Sequence, residues 1–148
     1  MNKNIILGLA VSLLGFSNSI EAQKIKNYAL QNAIKEISKL NVYETTCTVG
    51  YANTPSSQYE CFTILVTLAT DKELITLAEK HKNPVVRLYS YQALKKKNVE
   101  IPTSLIAKFK SDRDAVISLQ GCLAENTTVN KLSNEIFVTT SKYNFTKE

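Results

Sequence analysis

Two helix-start signals, 13 residues apart, constrain this 148-residue chain more than any other feature. The first is Thr70-Asp71-Lys72-Glu73, a capping box in which a threonine oxygen and a glutamate three residues on satisfy each other's free backbone N–H groups. The second is Asn83-Pro84, a capping oxygen followed by a proline at the first helical position. Behind the first lie Leu74, Ile75, Leu77 and Ala78, and behind the second Val86, Tyr89, Ser90, Ala93 and Leu94. Both sets recur at three- and four-residue steps, so each segment has one apolar face. The first ends near His81; the second ends in Lys95-Lys96-Lys97, where cations complement the helix dipole.

The same reading extends outward. Ile25, Tyr28, Ala29, Ala33, Ile34, Ile37 and Leu40 predict a helix from about Lys24 to Leu40. Thr54-Pro55 reads as another cap-plus-proline start, for a helix running to Leu68 with Tyr59, Phe62, Leu65, Val66 and Ala69 inward. A shorter helix is expected over Thr103 to Lys110, with Leu105, Ile106 and Phe109 inward. Short strands are expected near 42–51, which is rich in Thr, Val and Tyr, and near 115–122, where β-branched residues and Gly121 disfavour helix. For 115–138 a helix and a hairpin both fit, and 139–148 is expected to form a flexible tail. The fold class expected is therefore mainly α.

The first 22 residues read as a secretory signal: Lys3, an apolar run from Ile5 to Phe16, then a short polar exit to Ala22, with cleavage expected after Ala22 or, alternatively, after Ser19. That run spans roughly 18 Å as a helix, against a hydrocarbon core of about 30 Å. A domain of residues 23–138 is expected outside the cytoplasm, periplasmic or secreted, with no transmembrane segment after cleavage. Loss of Lys3 and Glu21 leaves the formal charge of +5 unchanged. Almost all positive charge is lysine, with arginine only at Arg87 and Arg113, and it is scattered rather than gathered. A solvated surface is expected rather than a nucleic-acid site.

Cys47, Cys61 and Cys122 form an odd set in a compartment where disulfides persist. Either Cys47 bridges Cys61, closing a loop of about 15 residues worth roughly 3 kcal/mol in the chain-entropy model, or all three are free thiols. Cys122, in Gly121-Cys122-Leu123-Ala124, reads as a buried inert thiol. No CxxC, HxxH, HExxH or glycine-rich phosphate loop occurs, so neither metal nor cofactor is expected. The single histidine, His81, sits at a helix end, where the dipole favours it. Asn126-Thr127-Thr128 and Asn144-Phe145-Thr146 match the glycosylation sequon.

A shift of 31 residues superimposes Leu74-Ile75 on Leu105-Ile106, Asn83 on Asp114, Val85-Val86 on Val116-Ile117, and Ala93 on Ala124. A helix pair at such a period is a mark of α-solenoids. Asn83-Pro84-Val85-Val86-Arg87-Leu88-Tyr89-Ser90-Tyr91-Gln92-Ala93-Leu94 resembles the second helix of a HEAT-like repeat, and Leu74 to Ala78 the first. Thr54 to Leu94 is also similar to a group of small exported bacterial proteins carrying an NPVVRxYxxxAL segment. The resemblance implies a short HEAT-like α-solenoid fragment that acts as a scaffold for an unidentified protein partner, with Arg87 paired to Asp71, Asp112 or Asp114. It departs at Ser118, where a second Arg87 would recur. The expected contact surface is the outer side of the helix from Pro84 to Lys97, with Tyr91, Lys95 and Lys96. Two other classes stay open: a thiol-dependent enzyme, and a binder of acidic polymers or lipids through the lysines.

Overall fold

A computed structural model describes the backbone of residues 3–49 and 54–143, and the side chains of residues 20–46 and 56–136. Among the described residues there are six helices and a small sheet: α1 (Lys3–Ser38), β1 (Val42–Val49), β2 (Thr54–Pro55), α2 (Ser57–Leu68), α3 (Asp71–Lys80), α4 (Pro84–Lys96), α5 (Thr103–Ser111), β3 (Ala115–Gly121), β4 (Leu123–Thr128) and α6 (Val129–Tyr143). The chain is mainly helical.

The two constraining start signals form as read. The Thr70 hydroxyl accepts from Glu73 N–H, and the Glu73 carboxylate accepts from Thr70 N–H at 2.7 Å. The Asn83 side chain accepts from the N–H groups of both Val85 and Val86. α4 ends in a Schellman motif. Asn98 takes the left-handed conformation at φ 56°, Val99 N–H donates to Leu94 C=O, and Asn98 N–H to Lys95 C=O. α3 and α4 are joined by three residues and pack on one another.

Around this hairpin the expectations need correction. Thr54-Pro55 does not start a helix; it is β2, paired with Thr48 and Val49 of β1. The N-cap of α2 is Ser56, whose Oγ accepts from Tyr59 N–H at 2.8 Å. Two adjacent cap signals compete here, and pairing with the sheet takes the first. α1 starts well before Lys24 and runs unbroken through residues 17–24, where no proline or glycine interrupts it. Its core stripe is Leu30, Ala33, Ile34 and Ile37, while Ile25, Tyr28 and Leu40 are exposed. α1 packs on α2 and α4, and among its described side chains the buried ones lie between Leu30 and Ile37. At the other end α6 continues to Tyr143, so 139–143 are helical; residues 144–148, with the second sequon, lie outside the described residues.

α4 is the hub, touching α1, α2, α3, α6, β1 and β3. Every residue from Val85 to Tyr91 is buried, Arg87 included. From Val85 to Tyr91 the helix has no outer side, which removes Tyr91 from the expected contact surface; beyond it Lys95 is half-buried and Lys96 exposed. Tyr91 in particular is fully buried and stacks on Phe109 of α5 at 4.3 Å between ring centroids. A second aromatic group, Tyr43, Tyr89, Phe62 and Tyr59, joins β1, α4 and α2 at centroid separations of 4.7–5.7 Å.

The sheet order is β2-β1-β3-β4, with β1 parallel to β3 and the other pairs antiparallel. Segment 115–128 is the hairpin alternative. Its two-residue turn is Gly121-Cys122, with Gly121 at φ 59° in the first central position, where a side chain is rarely accommodated. Cys122 is therefore exposed at a hairpin tip, not buried. The 31-residue echo thus meets a strand where a partner for α4 would lie, because Val116-Ile117 belong to β3.

Candidate functional site

The sheet and α6 enclose a cleft of about 800 Å³, within the range of ligand sites. Alternation along the strands sends Tyr43 and Thr45 of β1, Ser118 and Gln120 of β3, and Glu125 and Thr127 of β4 to this side. α6 contributes Lys131, Leu132, Asn134, Glu135 and Ile136, and α4 contributes Gln92. The floor is apolar at Tyr43, Leu132 and Ile136, all buried, while the walls carry hydroxyls, amides and three charges. Burial, then the neighbouring Tyr89 and Glu135, pushes the Tyr43 phenol well above its ordinary range, so it stays protonated. Gln92 Oε1 is buried with no partner among the described residues, an acceptor left over beside the cleft.

The start of α6 is pinned by backbone rather than by a side-chain cap. Val129 N–H donates to Asp114 C=O at 3.0 Å and Asn130 N–H to Asp112 C=O at 2.9 Å. The same two aspartates hold Arg87. Its Nε and Nη2 donate to Asp112 Oδ2 at 3.2 and 2.8 Å, and Nη2 to Asp114 Oδ2 at 2.5 Å. Nη1 reaches the carbonyls of His81 and Lys82. All five guanidinium N–H groups are thereby used. Arg87 ties α4, the α3–α4 turn and the α5–β3 junction together, and that junction seats the helix that roofs the cleft. Of the three acids expected beside it, Asp71 goes elsewhere, pairing with Lys97 at 2.8 Å.

The β4 margin of the sheet is open. Ile117 N–H bonds to Asn41 C=O of the segment entering β1, so odd residues of β3 point their backbone to β1 and even residues to β4. By the β3–β4 register, Leu123, Glu125 and Thr127 face β3, while Ala124 and Asn126 direct N–H and C=O outward. No described strand pairs there. The opposite margin is treated differently. The Tyr89 hydroxyl accepts from Glu44 N–H at 3.0 Å and donates to Glu44 C=O at 3.1 Å, taking the place of a neighbouring strand. The Glu44 carboxylate is buried and accepts from Ser56 Oγ, the same oxygen that caps α2.

The remaining sequence-derived residues lie apart from the cleft. His81 Nδ1 accepts from Asn83 N–H, and partial burial lowers its pKa. Cys61 is a free thiol on α2, and burial pushes its pKa up, away from thiolate. Its expected partner, Cys47, has a side chain outside the described residues. The lysine run is largely engaged: Lys96 Nζ lies 5.4 and 5.9 Å from the ring centroids of Phe62 and Tyr59, and Lys97 also donates to Ala69 C=O. Among the described residues no group of His, Cys, Asp and Glu is placed to hold a metal ion, and no helix is long and apolar enough to cross a membrane.

Sequence reasoning missed the cleft because its walls are ordinary polar residues with no motif. The alternation of Ser118, Gln120, Glu125 and Thr127 about Gly121 was the available signal. Among known proteins, no family model and no curated sequence matches this chain.

Proposed function

We propose that this chain is an exported, non-enzymatic binding module that holds an extended segment of a protein partner in the α6 cleft and along the open edge of β4. The observation that carries the reading is the adjacency of the two features: a polar-walled cleft opens beside four backbone groups of Ala124 and Asn126 with which no described strand pairs. Adding a strand to a sheet edge supplies affinity through main-chain bonds, and pockets for alternate side chains supply selectivity. The unpartnered Gln92 acceptor favours a ligand that brings donors, as a peptide does. Export rests on the residue 1–22 pattern, and the HEAT-like reading is supported by the α3–α4 hairpin and its Asn83-Pro84 start.

The test is site-specific photo-cross-linking in the producing cells. A photoreactive residue at Gln120, exposed at the cleft, should trap one heavier species of definite mass. The same residue at Lys72, exposed on α3, should trap none. Equal labelling at both positions, or none at Gln120, removes the reading.

A further inference from the structure

We infer that the segment accepted by β4 is an antiparallel strand carrying a basic residue opposite Glu125 and an apolar residue opposite Leu123, a Lys/Arg-x-apolar pattern. The inference rests on the binding reading above and specifies its ligand.

Edge strands are ordinarily blunted by lysine, proline, a bulge or a covering element. β4, Leu-Ala-Glu-Asn-Thr-Thr, has no lysine and no proline, and it pairs with β3 in unbroken register over six residues. Its one charge is negative, in a chain whose net charge is +5. Glu125 is exposed, lines the cleft and has no ion pair among the described residues. Leu123, two residues before it and on the same side, is 73% exposed, which leaves an apolar side chain next to an unsatisfied edge. A strand bonded to Ala124 and Asn126 places one residue between them directly across from Glu125. On that face opposite charges in register stabilise and like charges repel. The residue two positions further along the guest lies across from Leu123 and covers it. Antiparallel pairing continues the sense of the β3–β4 hairpin and is the more stable ladder. Lys131 and Glu135 line the same cleft, and Glu125 is the acid that a strand bonded to Ala124 and Asn126 meets in register.

The experiment is selection of a random ten-residue displayed library on the full chain, followed by affinity measurement of the winning peptides. Lys or Arg followed two positions later by Leu, Ile, Val or Phe should be enriched. Glu125→Lys should weaken those peptides about tenfold, and changing the basic residue of the peptide to Glu should restore binding to that variant. Asn126→Pro, which removes an outward N–H and leaves the β3 ladder intact, should abolish binding while the far-ultraviolet spectrum and melting temperature hold. Peptides that bind without a basic preference, or that ignore both substitutions, overturn this inference yet leave the binding reading standing. A library that yields no binder, together with no cross-link at Gln120, removes both.

Discussion

Replacing Arg87 with alanine tests the central joint of the fold. The guanidinium is buried and spends all five N–H groups on two carboxylates and two carbonyls. Asp112 has a side chain only 10% exposed, so the variant strands a desolvated charge; Asp114 is 60% exposed and is rescued by water. Breaking one side of a buried pair costs about 3–5 kcal/mol, whereas an exposed pair is worth about 0–1 kcal/mol. Arg87→Ala should therefore lose about 3–4 kcal/mol, Asp112→Ala a similar amount, and Asp114→Ala under about 1 kcal/mol. With a urea slope of about 2 kcal/mol/M for a chain of this size, the first two midpoints fall by roughly 2 M. Arg87→Lys should lie between, since a single ammonium cannot reach the carboxylates and the turn carbonyls at once. Equilibrium urea titration followed by circular dichroism gives the midpoints. An Arg87→Ala shift below about 0.5 M, or an Asp114→Ala loss equal to that of Asp112→Ala, refutes the argument.

Tyr89→Phe keeps the aromatic stack but leaves the N–H and C=O of Glu44 unpaired at a buried site. It should cost about 1–3 kcal/mol in the same titration, and its buried face should show faster amide exchange at Glu44. The bonds from Thr70 hold the Glu73 carboxyl below its ordinary range. Its contribution is thus complete above the unfolded value of about 4.5 and fades as pH falls through the lowered folded value. Glu73→Gln should flatten that part of the melting-temperature profile, and an unchanged acid limb would contradict the cap. Cys122, exposed at the turn, should be alkylated by iodoacetamide in the native protein well before Cys61, whose thiol is held up by burial. Peptide mass mapping reads the order, and faster labelling of Cys61 would overturn it.

What could be read from the residues was what is decided locally. The Thr70 box and the Asn83-Pro84 cap are satisfied within four residues, so no distant contact could alter them. Thr54-Pro55 failed for the opposite reason: its fate depends on β1, and Ser56 was ready to cap in its place. Tyr91 was misplaced because a one-face reading assumes one buried face. The run Val85 to Leu94 has no charge besides Arg87, and that all-round apolar character marks a helix enclosed on every side. Cys122 was judged by its neighbours Leu123 and Ala124 rather than by Gly121, the residue that turns the chain there. The cleft could not be located at all without knowing that β1 and β3, some 70 residues apart in sequence, run side by side.

The unequal treatment of the two sheet margins has a consequence for assembly. With the Tyr89 hydroxyl and β2 occupying one border, the β4 border is the open one among the described strands. A guest strand docked there becomes the new edge of the sheet, while the far border, already occupied, gives copies of this chain no head-to-tail route through the ladder. Growth beyond one guest would have to come from the guest strand's own outer edge and not from this chain.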